Sequence, residues 1–162
     1  MPPYVFRAEQ FVPQPLDEVF KFFSKAENLE LLTPKWLNFH ILSVAPTPVQ
    51  KGTLIRYSLR YRIFPISWTT EIIEWNPPHR FVDVQLKGPY KLWHHEHRFI
   101  AEGSGTRIAD EVQYLLPFGI FGSIAHALKV KKDVETIFAY RTEAVKRLFG
   151  SAVSSLKTEF LP

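Results

Sequence analysis

Apolar and polar positions along the chain alternate with a period of two over seven stretches, the pattern of strands with one buried face. These predict strands over 4–12, 39–44, 52–62, 66–75, 80–87, 91–101 and 106–116. Two other stretches repeat apolar residues every three or four positions, the period of an amphipathic helix. One is short: Leu16, Val19, Phe20 and Phe23, with Asp17 and Glu18 in its first turn, where the helix dipole favours acids. A second short helix is expected over 25–32, capped by Ser24 and ended by Pro34. The other stretch is long: Phe121, Ile124, Leu128, Val134, Phe138, Val145 and Phe149 mark a helix over 121–149. Residues 151–162 are mixed and expected to fray.

The predicted order is a strand, two short helices, six strands in hairpin succession and a long helix. A large antiparallel sheet must cover its apolar face, and only the last helix is long enough to do so. A curved sheet wrapped on one helix encloses volume between them.

The stretch Lys91–Phe99 places Trp93, His95, His97 and Phe99 on one face and Leu92, His94, Glu96 and Arg98 on the other. A hairpin centred between Gly103 and Ser104 sets His97 opposite Asp110 and Trp93 opposite Tyr114. A three-residue turn at Gly88–Tyr90 sets Asp83 opposite His95, Phe81 opposite His97 and Gln85 opposite Trp93. Val82, Val84 and Leu86 then face outward and would suit a subunit contact in a homodimer. A turn at Phe64–Pro65 would set Tyr61 opposite Trp68, Leu59 opposite Thr70 and Tyr57 opposite Ile72.

The chain has 162 residues, 46% of them hydrophobic and 15% aromatic, enough for one domain with a sizeable core. The net charge of +4 comes from interspersed Lys and Arg, with one denser run at Lys129, Lys131 and Lys132. No basic stripe with interleaved aromatics is present, so nucleic acid is not an expected partner. No cysteine occurs, which excludes disulfides, thiolate metal sites and thiol catalysis. No apolar run reaches signal or membrane-spanning length, so no integral membrane association and a cytoplasmic location are expected.

Several phrases bring a known family into view: Val12-Pro-x-Pro-Leu-x-x-Val-Phe-x-Phe-Phe, Asn28-Leu-x-x-Leu-Thr-Pro, Trp75-x-Pro-Pro-x-Arg-Phe-Val-Asp, Gly88-Pro-Tyr-x-Leu-Trp-x-His-x-His-x-Phe and Gly105-Thr-Arg-x-x-Asp. The chain resembles the START and polyketide-cyclase (SRPBCC) superfamily, and within it the bacterial ligand-binding SRPBCC proteins. The resemblance implies an α+β helix-grip fold: a curved seven-stranded antiparallel sheet on a long C-terminal helix, with two short helices between strands 1 and 2. It implies a single domain over 1–162 with its core at about 4–149. It is weak for function, because carriers, receptors, cyclases and co-chaperones share that scaffold.

The candidate ligand-binding residues are Trp36, Tyr57, Tyr61, Trp68, Asp83, Gln85, Trp93, His95, His97, Asp110 and Tyr114. The expected partner is a small hydrophobic or aromatic molecule, and no cofactor is expected. A histidine beside a carboxylate has three readings: a satisfied buried pair, the polar end of a ligand site, or an acid/base couple in a cyclase or hydrolase, with His97 and Asp110 as the catalytic residues. A non-catalytic module that binds another protein is a further class. His95 and His97 share a face with acids nearby, but no tight zinc spacing occurs and no metal is expected. Trp36, the Phe64–Pro65 turn and Phe118–Gly122 are the expected gate of the cavity.

Overall fold

The computed structural model describes residues 2–117, 119, 129–150 and 159–161. Its elements run β1 (Tyr4–Val12), α1 (Leu16–Phe23), α2 (Leu29–Leu32), β2 (His40–Ala45), β3 (Leu54–Tyr61), β4 (Phe64–Asn76), β5 (Arg80–Lys87), β6 (Leu92–Glu102), β7 (Gly105–Leu115), α3 (Lys131–Phe149) and β8 (Glu159–Leu161). Short 3₁₀ turns at Ala26–Asn28 and Lys35–Leu37 flank α2. The strands form one sheet in the order β2-β3-β4-β5-β6-β7-β1-β8, antiparallel throughout. This is the expected α+β helix-grip architecture with one addition. The tail expected to fray returns as β8 and pairs with β1, Val5 opposite Leu161. The first part of the long helix, 120–128, lies outside the described residues.

Local chemistry explains the elements. α1 buries Val19 and Phe20. The Phe20 ring lies 5.3 Å from Trp75, 5.4 Å from Phe99 and 6.1 Å from Phe81, which fastens the helix across the sheet. Ser24 does not start the next helix as expected. It ends α1: its N–H donates to Phe20 O at 2.8 Å and its hydroxyl to Lys21 O at 2.9 Å. The core divides in two. One part gathers Val12, Phe20, Ile55, Ile72, Phe99 and Val145; the other gathers Phe6, Val112, Tyr114, Val134 and Phe138 under α3.

The β6–β7 and β5–β6 pairings match those expected: His97 faces Asp110, Trp93 faces Tyr114, Asp83 faces His95 and Phe81 faces His97. The β3–β4 pairing differs. Tyr57 faces Trp68, Leu59 faces Ile66 and Tyr61 faces Phe64, so the turn is Arg62-Ile63. Two-residue hairpin turns favour glycine or asparagine at positive φ; here Arg62 takes φ 56, and no sequence signal marks it. The shift is four positions, an even number, so every side chain keeps its expected face.

The outward stripe also changes. Val82 is fully buried, and of the three only Leu86 is clearly exposed. Val82 lies between Glu74 and Glu96 on the neighbouring strands, and Arg80 is ion-paired with both. Charged side chains thus flank Val82 on this face.

Candidate functional site

A cavity of about 210 Å³ lies between the sheet and the helices. Period-two alternation aims the inner faces of β3–β6 into it. Its walls are largely apolar, with Leu32, Leu37, Ile55, Ile72, Trp68 and Phe81 among them, and α3 contributes Val134, Ile137 and Phe138. Two polar spots interrupt this lining. At the smaller, Thr70 Oγ1 accepts from Trp68 Nε1 at 3.1 Å and lies 3.3 Å from the Tyr57 hydroxyl. Burial pushes the Tyr57 hydroxyl well above the ordinary tyrosine value, with the Thr70 hydrogen bond opposing.

The larger spot is Asp83, His95, His97 and Arg141, backed by Asp110. His97 and His95 stand two apart on β6, so their rings lie side by side with centroids 3.8 Å apart. One oxygen of Asp110, on the adjacent β7, serves both: Oδ1 is 2.8 Å from His97 Nδ1 and 3.1 Å from His95 Nε2. Asp83, on β5, meets the opposite nitrogens, with Oδ2 3.1 Å from His97 Nε2 and 3.7 Å from His95 Nδ1. Arg141 of α3 comes from the Asp110 side, Nη2 3.6 Å from Oδ1. Its guanidinium also lies 5.1 Å from the Phe23 ring centre, a cation–π contact.

These distances set the protonation pattern. Both nitrogens of His97 lie close to carboxylate oxygens, Nε2 to Asp83 and Nδ1 to Asp110, which favours the protonated ring. Burial lowers the pKa of His97, but the hydrogen bonds to Asp110 and Asp83 outweigh it and the net shift is upward. His95 is pushed down to about 4, first by burial and then by the charge of His97. It is neutral, donating from Nε2 to Asp110 and presenting a lone pair at Nδ1. Asp110 is buried, which alone would raise its pKa; Arg141 and the two histidines outweigh that and hold it well below the usual carboxylate range. Arg141 Nη2 is also 3.3 Å from His97 Nδ1. Two carboxylates thus face one guanidinium and two imidazoles, and this pairing makes burial of the cluster affordable.

The candidate residues separate into groups. Tyr57, Trp68, Asp83, Trp93, His95 and His97 line the cavity. Asp110 lies behind the histidines, lining a small recess with Arg141. The others are placed elsewhere. Trp36 is half exposed and does not line the cavity. Tyr61 turns to α3, its hydroxyl 2.6 Å from Asp133 Oδ2. Gln85 folds back on its own turn, donating to Tyr90 O at 2.6 Å and accepting from Tyr90 N at 3.2 Å. Tyr114 is fully buried in the second core. Of the expected gate, Phe64 is exposed at the β3–β4 turn, and 118–122, apart from Gly119, lies outside the described residues.

The sequence reading missed Arg141 and Thr70. Arg141 had a signal: Val134, Phe138, Arg141 and Val145 recur at spacings of four, three and four, which puts a charge within the apolar stripe of α3. Thr70 had none, since a threonine on an inner face is ordinary.

A family model described as "Polyketide cyclase / dehydrase and lipid transport" matches residues 12–140. No curated protein matches the chain. Among solved structures, TTHA0849 from Thermus thermophilus is 25% identical with a TM-score of 0.62, over 89% of this chain and 98% of that one. The di-domain aromatase/cyclase StfQ of the steffimycin biosynthetic pathway has a TM-score of 0.72 at 11% identity, over 91% of this chain and 51% of that one. A Thalictrum flavum norcoclaurine synthase variant, in complex with a transition-state analogue, has a TM-score of 0.63 at 15% identity, over 89% and 94%. At such identities the last two speak for the fold alone. No described helix is long and apolar enough to cross a membrane.

Proposed function

Because the chain belongs to the polyketide cyclase / dehydrase and lipid transport family, we propose that it binds a small aromatic or hydrophobic molecule whose polar end meets Asp83, His95 and His97. The observation that carries this reading is an apolar cavity with one concentrated polar spot, the usual design of a ligand site. Its volume narrows the class. An apolar cavity of about 150 Å³ takes benzene, so about 210 Å³ suits one or two rings or a short acyl chain. A folded polyketide of many rings would require the cavity to widen.

The enzymatic alternative is less well supported by the proton arrangement. Both nitrogens of His97 are already occupied, Nε2 by Asp83 and Nδ1 by Asp110 and Arg141, so neither faces the cavity free to take a proton from a ligand. His95 Nδ1 has a lone pair, but a pKa near 4 makes it a weak base at neutral pH. A purely protein-binding module does not account for the cavity.

The test is titration of ligand-free protein with one- and two-ring phenols and carboxylates, naphthol among them, followed by tryptophan fluorescence. Trp68 and Trp93 stand in the cavity wall, so binding quenches them. Saturable one-to-one binding is expected, with Kd on the order of 10 µM for so few atoms. Absence of saturable binding across aromatic and short-chain probes would overturn the proposal.

A further inference from the structure

Asp83 Oδ2, His95 Nδ1 and His97 Nε2 converge at the cavity wall. Each of these residues can offer one ligand atom, with all three atoms within 4.8 Å of one another. Two details of the cluster give this convergence a direction.

The first is the role of Asp110. A single oxygen of that residue binds His95 Nε2 and His97 Nδ1. It therefore fixes both rings with the opposite nitrogens turned toward Asp83. A carboxylate behind a histidine, setting its tautomer and aim, is the recurrent outer support of metal-ligating imidazoles. Asp83, His95 and His97 line the cavity and Asp110 does not, so supporting and ligating layers are already separated. Arg141 stands on the Asp110 side, so its charge does not occupy the space between the three ligand atoms.

The second is what fills that space. Asp83 Oδ2 and His97 Nε2 are 3.1 Å apart and share a proton. Asp83 Oδ2 and His95 Nδ1 are 3.7 Å apart, too far for a direct hydrogen bond. Metal–ligand bonds of about 2.0–2.1 Å set neighbouring ligand atoms roughly 2.9–3.4 Å apart. The 3.1 Å separation falls in that range and the 3.7 Å one just above it; the whole set lies within 4.8 Å, so the two imidazoles must draw together to close on a cation.

We propose that Asp83, His95 and His97 form a binding site for one first-row divalent cation, with Asp110 as its supporting residue and the remaining coordination positions facing the cavity. Two imidazoles and one carboxylate select zinc-like ions over magnesium or calcium, which prefer all-oxygen sets. On binding, the cation replaces the His97 Nε2 proton, which leaves to solvent. The local sum then becomes two positive charges from the metal and one from Arg141 against two carboxylates. The excess of one favours a ligand with an anionic oxygen. The site stands whether or not the cavity takes the organic molecules proposed above.

The test uses chelator-stripped full-length protein, titrated with Zn²⁺ by calorimetry and with Co²⁺ by visible absorption. Wild type is expected to bind one equivalent, with the intense d–d bands of a low-coordinate nitrogen–oxygen site. Asp83→Asn and His97→Ala should each weaken binding at least 100-fold, and Asp110→Asn about 10–100-fold, as loss of outer support does. His40→Ala, an exposed histidine on β2, should leave binding unchanged. If wild type takes up no stoichiometric Zn²⁺ or Co²⁺, the proposal fails whatever the variants do. It fails equally if folded Asp83→Asn binds as wild type does, or if His40→Ala abolishes uptake. The phenol titration, run on metal-free protein, reads the cavity separately.

Discussion

Asp110 Oδ1 lies 2.8 Å from Nδ1 of His97, the residue directly across the β6–β7 ladder. The pair is buried, and the same oxygen balances Arg141 from the helix above. One carboxylate thus joins two strands and α3.

Removing that carboxylate strands the Arg141 guanidinium and leaves two buried imidazoles without their shared partner. Asp110→Ala is expected to destabilise the protein by about 3–5 kcal/mol, as loss of one partner from a buried ion pair does. Urea unfolding of wild type and variant measures it. A loss below about 1 kcal/mol would mean that the cluster is solvated like a surface pair.

Ile72 is buried and lines the cavity. Ile72→Trp places an indole in the empty volume, so it should abolish naphthol binding while the protein remains folded by circular dichroism. Trp36→Ala, outside the cavity, should leave the affinity within about twofold, well under 1 kcal/mol. Equal behaviour of the two variants would contradict the placement of the ligand.

Gly105 opens β7 where β1 passes closely. A Cβ there would lie 2.4 Å from the carbonyl oxygen of Val12 and 2.4 Å from the Phe11 ring. The ring can swing aside; the backbone oxygen cannot. Gly105→Ala should cost about 1–3 kcal/mol, as overpacking does, with a lowered Tm in calorimetry. No change in Tm would show that the two strands separate freely.

Arg62 holds φ 56 in the β3–β4 turn, a conformation that costs an ordinary residue about 1 kcal/mol. Arg62→Gly or Arg62→Asn should relieve most of this. The expected gain is about 0.5–1 kcal/mol, somewhat less for glycine because it frees the unfolded chain. Thermal unfolding of both variants is the check, and a drop for both would place the turn elsewhere.

Tyr57, Tyr90 and Tyr114 all have hydroxyl pKa values raised from 10.0, chiefly by burial. A folded-state value above the unfolded one favours the protonated, folded form. The stabilisation is complete below about pH 10 and is lost as pH rises above it. Phenolate absorbance should therefore rise in two phases, with these three tyrosines ionising only as near-ultraviolet dichroism collapses. Simultaneous ionisation of all six tyrosines before unfolding would show that the rings are wet.

The sequence by itself determined which residues share a face and in what order the elements come. Period-two alternation assigned Trp93, His95 and His97 to one side of β6. The Gly103-Ser104 turn set His97 against Asp110, and the apolar stripe marked α3 as the cover of the sheet. These are local properties, set by backbone period and turn chemistry. The tertiary structure decided what local rules do not reach. Arg62 adopts a turn conformation no residue type announces, and this moved the β3–β4 register by four. Gln85 preferred its own turn to the cavity, and Tyr61 found Asp133 on α3. Arg141, 31 residues beyond Asp110, entered the site from α3, so the charge balance around His97 depends on how helix and sheet pack. Alternation tells a side chain which way to point; only the packed chain supplies the partners it meets there.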